Sequence, residues 1–230
     1  MLVKKKVWVP MIAPALFNNQ PIGEMYLTED ANPVGRQVTV SLMTLTGDPQ
    51  RQNIHISFKI SKAENNQLLT TLVGFKITPS AVRKMMRRAR DRIDDSFVAK
   101  TQDGIAVRVK PVLITRGRSK SSVLADMRRT LRLTVVRALA KHTFVDFIGS
   151  LVAHKFQREL QDTLRKIYPL QVCELRDVHI ETSENGLKNI LSAPPAVEKP
   201  KEEAPVEQQA EQQEAQPEQP AQEPETREAA

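Results

Sequence analysis

The stretch RKMMRRARDR, Arg83 to Arg92, sets six basic side chains against one carboxylate, Asp91, within ten residues. Guanidinium and ammonium groups at that density do one kind of chemistry: they give charge and hydrogen bonds to oxyanions, phosphates above all. A second cluster, RGRSK from Arg116 to Lys120, joins the same cations to serine hydroxyls and a conformationally free glycine, a set suited to phosphate oxygens. Arg128, Arg129 and Arg132 continue the pattern at helical spacing, and Lys4, Lys5 and Lys6 form a basic run near the N-terminus. The residues expected to contact a polyanion are therefore Lys4, Lys5, Lys6, Arg83, Lys84, Arg87, Arg88, Arg90, Arg116, Arg118, Lys120, Arg128, Arg129 and Arg132.

Other chemistries find little support. Asp94, Asp95 and Asp103 could bind a divalent cation for hydrolysis, but the first two end a predicted helix and the third sits in a hairpin turn, where aspartate serves the local backbone. His55, His142, His154 and His179 lack zinc-ligand spacing, and the single cysteine, Cys173, excludes both an internal disulfide and a four-cysteine zinc site. No glycine-rich phosphate loop occurs, and nothing supports a serine triad. The sequence thus predicts no catalytic residue, metal, cofactor or small-molecule substrate.

The charge distribution agrees. The whole chain carries +7, but Pro194 to Ala230 holds three Lys/Arg against ten Glu. Residues 1–193 therefore carry 31 basic against 17 acidic side chains, or +14. Such a body repels itself without counter-charge, so nucleic acid is the first expected partner and an acidic membrane surface the second. The acidic segment is almost wholly Pro, Glu, Gln and Ala, too poor in apolar groups to offset chain entropy. Residues 193–230 are expected to be a disordered tail, and 1–192 a single folded body. The N-terminal run MLVKKKVWVPMIAPALF has a basic start and an apolar continuation, yet Pro10 and Pro14 interrupt it. Residues 1–17 therefore read as an extended segment rather than a signal peptide. No run reaches the ~18 apolar residues of a membrane span, and a reducing, cytoplasmic location is expected.

The elements that must position these groups follow from periodicity. NIHISFKI alternates, with Ile54, Ile56, Phe58 and Ile60 on one face. GRQVTVSLMTL before it and LLTTLVGFKI after it are rich in strand formers, with turn chemistry at Gly47-Asp48-Pro49 and Glu64-Asn65-Asn66. FVAKTQDGIAVRVKPVLIT reads as a hairpin turning at Asp103-Gly104, and VCELRDVHIE as a last strand. Short turns between sequential strands predict an α+β fold with a curved antiparallel sheet or barrel-like body. Three flanking helices are predicted. One starts at Thr78-Pro79 and runs to about Ile93, with Val82, Met85, Met86, Ala89 and Ile93 facing the core. A second starts near Ser121-Ser122 with Val123, Met127, Leu131, Thr134 and Ala138 inward. The third starts at Thr143, where Asp146 completes a capping pattern, and carries Ile148, Val152, Phe156, Leu160 and Leu164. The first helix is strained by like-charge i,i+4 pairs at Arg83/Arg87, Lys84/Arg88 and Arg88/Arg92, against one opposite pair, Arg87/Asp91, a frustration of roughly 1 kcal/mol.

Helix-turn-helix, zinc-finger and basic-zipper patterns are absent, and aromatics are 4%, too few for stacking platforms along a single strand. Basic side chains without interleaved aromatics suit the backbone and shape of folded RNA. In APALFNNQPIG, GRQVTVSLMTLTGD, RIDDSFVAKTQDGIAVRVKPVLIT, RGRSKSSVLADMRR and KIYPLQVCELRDV, in that order, the chain resembles the archaeal and eukaryotic ribosomal protein family S3Ae from about Lys5 to Glu181. The resemblance implies a structural protein of the small-subunit platform, near the 3′ end of the ribosomal RNA and the messenger exit region. Its implied partners are small-subunit rRNA, neighbouring platform proteins and the messenger. The short Lys4-Lys5-Lys6 leader implies the archaeal type, and Thr78-Pro79-Ser80 stands where relatives commonly carry Thr-Arg-Asp. One rival, a free nucleic-acid-binding regulator or chromatin-like protein, uses the same basic residues; another is a metal-dependent nuclease built on Asp94, Asp95 and Asp103.

Overall fold

The alternation in NIHISFKI is realised: Ile54, Ile56, Phe58 and Ile60 are at most 7% exposed, while His55, Ser57 and Lys59 point the other way. This run opens β4 (Ile54–Glu64) in a computed structural model that describes residues 6–28, 32–64, 66–182 and 190–191. Antiparallel β3 (Gln37–Ser41) lies on one edge of β4 and β5 (Gln67–Ile77) on the other. The expected continuation of β3 through LMTL is instead a helical turn, α1 (Leu42–Thr46), ended by Gly47 at φ 72. Its reason is burial: Leu42 and Leu45, three apart, both enter the core on one helical face.

The predicted hairpin is β7 (Phe97–Lys100) and β8 (Ala106–Thr115), turning at Gly104, whose φ of 75 suits glycine. β8 is buried nearly throughout and central in the sheet: β6 (Arg92–Asp94) and β7 share one edge and β9 (Leu170–Ile180) takes the other. β9 also joins β5 through Gly74, Phe75 and Lys76. A Cβ on Gly74 would lie 3.0 Å from the Val178 carbonyl oxygen, so glycine permits that close pairing.

Part of the N-terminal segment expected to be simply extended forms β1 (Lys6–Ile12), which pairs with an unanticipated β2 (Pro21–Thr28). A 3-10 turn at Ala15–Phe17 and left-handed Asn18 and Asn19 reverse the chain between them. The sheet is mixed rather than purely antiparallel, since β1 meets β5 in parallel and β10 (Ile190–Leu191) meets β7 in parallel. Its path, β10-β7-β8-β9-β5-β1-β2, is open: β10 and β2 do not pair among the described residues.

Among the described residues, five α-helices replace the three expected. α2 (Pro79–Met85) begins at Pro79 as predicted but stops eight residues short of Ile93. Met86 is extended, Ala89 turns at φ 63, and Ile93 is fully buried in β6 opposite Leu113. A continued helix would hold the three like-charge pairs together, whereas the strand buries Ile93 without them. Ala89 and Met86 are consequently exposed, not core. α3 (Ser121–Lys141) buries Met127, Leu131, Val135, Val136 and Leu139, with Val123, Thr134 and Ala138 at the margin. The third expected helix is two, α4 (Phe144–Val152) and α5 (Lys155–Arg165), broken at left-handed His154. Both sides of the break still feed one core, where Phe147 and Phe156 meet edge to face at 5.1 Å. At the start of α4 the Asp146 N–H donates to Thr143 Oγ1 at 3.2 Å, the expected cap. No helix among the described residues is long and apolar enough to cross a membrane. The tail expected from residue 193 lies outside the described residues, as do Lys4 and Lys5.

Candidate nucleic-acid interface

The two basic clusters meet at Asp91. Pairing of β6 with β8 brings the end of RKMMRRARDR beside the start of RGRSK. The Ser119 N–H donates to Asp91 Oδ2 at 2.6 Å, and the Asp91 N–H to Thr115 Oγ1 at 2.9 Å. The Thr115 N–H returns a bond to the Asp91 carbonyl at 3.0 Å, and the Thr115 hydroxyl donates to the Gly117 carbonyl at 2.7 Å. From the other side the Tyr168 hydroxyl donates to the Arg118 carbonyl at 3.0 Å, and the Arg116 N–H to the Pro169 carbonyl at 3.1 Å. The loop backbone is pinned while Arg116, Arg118 and Lys120 remain exposed, as do Arg87 and Arg88 in the segment that leads to Asp91. Asp91, which helical spacing assigned to Arg87, holds the backbone of the second loop instead.

Next to this seam lies a groove of about 380 Å³ lined by Lys76, Ile77, Pro79, Val82, Arg83, Arg92, Lys110, Arg176 and Asp177. Strand register builds it. Lys76 of β5 and Lys110 of β8 both pair with Asp177 of β9, so three adjacent strands set a cation, a carboxylate and a cation abreast. The β8–β9 register shifts between Lys110 and Pro111, leaving Arg176 between paired Asp177 and Leu175. Proline inside a strand marks such an irregularity because it has no N–H for the ladder. Asp177 accepts from Lys110 Nζ at 2.8 Å and lies 3.0 Å from His179 Nδ1. Burial works to raise its pKa, but the hydrogen bonds from His179 and Lys110, together with their charges, bring it down to about 2. Five cations thus line the groove with one carboxylate; Lys110 is paired with it and Arg92 with Asp94, which leaves Lys76, Arg83 and Arg176 without a carboxylate among the described residues.

Two guanidinium groups at this seam carry buried N–H donors without an acceptor among the described residues, Arg90 Nη1 and Arg92 Nε. Nothing local in the sequence marks Lys76, Lys110 or Arg176 as contact residues, and Arg92, which closes RKMMRRARDR, is not among the expected contacts. Lys76 and Lys110 look like ordinary outward residues of alternating strands; Pro111 within its strand was the one available signal.

Other expected contact residues are differently placed. Arg132 forms a bidentate pair with Asp95, including Nη2 to Oδ1 at 2.8 Å. Burial acts to raise the Asp95 pKa, but the Arg132 hydrogen bonds, the Ser96 N–H and the charges of Arg132 and Arg128 hold it below the usual carboxylate value. Arg132 is in turn held further toward its charged form by Asp95. Arg128 and Arg129 are exposed on α3, as are Arg83 and Lys84 on α2. Lys6 stands at the far hairpin, its Nζ 5.3 Å from the centre of the Tyr26 ring. The three carboxylates weighed for a metal go separate ways: Asp94 pairs with Arg92, Asp95 with Arg132, and Asp103 accepts the Phe144 N–H at 3.0 Å.

The model of the ribosomal S3Ae family matches residues 2–183. The small ribosomal subunit protein eS1 of Nanoarchaeum equitans is 34% identical over 184 residues, covering 80% of this chain and 93% of that protein. The eS1 proteins of Saccharolobus islandicus and Saccharolobus solfataricus are each 29% identical over 191 residues, covering 83% of this chain and 92% of theirs. The matched span includes β1 to β9, all five helices, both basic segments and every residue of the groove, and the chain belongs to the ribosomal S3Ae family, archaeal type.

Proposed function

We propose that the protein is a structural, non-catalytic constituent of the small ribosomal subunit that binds folded rRNA through the Asp91 seam and the adjoining groove. The observation that carries this reading is convergence: β6–β8 pairing and Asp91 join two basic segments, and their cations are largely unanswered among the described residues. Phosphates entering there replace mutual repulsion with charge-assisted hydrogen bonds and release condensed counterions. The rigid sheet keeps the cations from following one another into solvent, so RNA segments can be held close together. The subunit platform, near the rRNA 3′ end and the messenger exit region, is the proposed seat. Neighbouring platform proteins and the messenger are the further partners, in the cytoplasm. The eS1 names of the relatives support the ribosomal part of this reading.

Sedimentation of cell extract through a gradient at moderate salt tests it. The protein should travel with small subunits, and a double charge reversal in the groove, Arg83→Glu with Arg176→Glu, should shift it toward the light fractions. Finding the unaltered protein only in the light fractions would overturn the reading.

A further inference from the structure

Aromatic residues are few in this chain, and nearly all are spent on the core. All seven phenylalanines are buried, and Tyr168 is half-buried with its hydroxyl on the Arg118 carbonyl. Trp8 and Tyr26 differ, at 59% and 51% exposed. They face each other across the β1–β2 pair, ring centres 4.8 Å apart and planes inclined by 33°. Lys6, two residues before Trp8 and so on the same face, holds its ammonium 5.3 Å from the Tyr26 ring centre. Glu24, opposite Pro10, lies at the other end of that face.

A cross-strand aromatic pair steadies a hairpin, but this hairpin has another anchor. Val9, Met11 and Leu27 on its inner face are buried with Ile60 and Leu68. The outer rings leave half their area in water beside a cation, which is the equipment for binding a flat, electron-rich group attached to an anion. We propose that Trp8, Tyr26 and Lys6 form a stacking site for an unpaired nucleobase of RNA, with Lys6 answering the adjoining phosphate. A nucleotide fits better than a protein side chain that favours aromatic faces. A second cation would be repelled by Lys6, and a proline would leave that charge unanswered. The proposal shares with the rRNA reading only the identity of the polymer. Its chemistry is stacking, whereas the groove offers cations alone, and it locates a platform that the 4% aromatic content had argued against.

Trp8 is the only tryptophan in the chain, so its fluorescence reports this site alone. The full chain is titrated with single-stranded oligoadenylate and oligouridylate of eight nucleotides, and with a duplex of the same length. Saturable quenching by the single strands is expected, with the duplex far weaker. Tyr26→Ala should weaken binding about tenfold, the scale of one lost stacking contact, while Tyr26→Phe, which keeps the ring, should bind within about twofold of the unaltered protein. Lys6→Ala should weaken binding and flatten its salt dependence. The Arg83→Glu/Arg176→Glu protein should bind the short strands as before even as its affinity for folded RNA falls, which separates failure of this site from failure of the groove. Silence toward single strands would assign the face to a protein partner and overturn the proposal. Equal quenching by duplex, undiminished affinity in Tyr26→Ala, or a loss in Tyr26→Phe as large as in Tyr26→Ala would overturn it too.

Discussion

Two sets of cations of the same residue types meet opposite fates in this molecule. Arg92, Arg108 and Arg132 each find a carboxylate, in Asp94, Glu181 and Asp95. Arg83, Arg87, Arg88, Arg116, Arg118, Lys120 and Arg176 find none among the described residues. Arg132 joins α3 to the chain between β6 and β7 and Arg108 joins β8 to the residue that follows β9, while Arg92 closes its pair within β6. The second set spends its charge outward. The contrast teaches that a count of basic residues measures the total field, while only pairing reveals how much of it is offered to a partner.

The sharpest way to break the contrast is Arg87→Glu with Arg88→Glu. Incorporation into small subunits should fall more than tenfold, by gradient sedimentation, while the melting temperature of the isolated protein moves by less than about 3 °C, as expected for exposed sites away from the core. A stability loss that matches the assembly loss would show these arginines to be structural.

Gly74→Ala should do the reverse. Its Cβ would press on the Val178 carbonyl where β5 and β9 join, costing about 2 kcal/mol in chemical denaturation. Because that joint aligns Lys76, Asp177 and Lys110, RNA affinity should fall with stability rather than independently of it.

Glu174 belongs to neither set. It is a carboxylate with no cation partner among the described residues, its Oε2 buried and unbonded, and burial pushes its pKa up to about 7 against an opposing hydrogen bond from Gln157. Since the folded pKa lies above the unfolded one, the neutral form's stabilisation is complete below about pH 4.5 and is lost as pH rises toward 7. After a discount for partial exposure the loss is about 2 kcal/mol. Glu174→Gln should remove that slope and leave the protein more stable at pH 8. Asp177 has the opposite sign: its contribution is present above its ordinary pKa of 3.8 and disappears as pH falls toward about 2.

Asp91→Ala should cost about 1 to 2 kcal/mol through the orphaned Ser119 N–H. It should also speed hydrogen exchange at residues 116–120, loosening one basic cluster from the other. The smallest effect is expected for Arg132→Gln, whose side chain is half exposed although that of Asp95 is nearly buried, at about 1 kcal/mol. Unchanged RNA affinity in that variant would place Arg132 wholly with the structural cations.

Strand positions in the sheet were legible because alternation is local: β4, β5, the β7–β8 hairpin and β9 fall where their apolar residues predicted. β2 was not, since its residues are mostly exposed and carry no clean period-two pattern. The premature end of α2 was half legible. Its repulsive spacing was visible, but the burial of Ile93 against Leu113 that turns repulsion into a strand was not. Of the candidate site, both basic clusters could be read directly, whereas the groove beside their seam could not.

By itself, then, the sequence determined the sign and strength of the surface charge, the period of each strand, the cap at Thr143 and the family likeness, because each depends on residue type and near spacing. The tertiary structure alone decided which cations stay free. Arg132 and Asp95 meet across 37 positions, and Lys110 and Asp177 across 67, through strand and helix packing that no local pattern encodes. Asp91 shows the same division: its place among arginines was written in the chain, but its hold on Ser119 exists only because β6 lies beside β8.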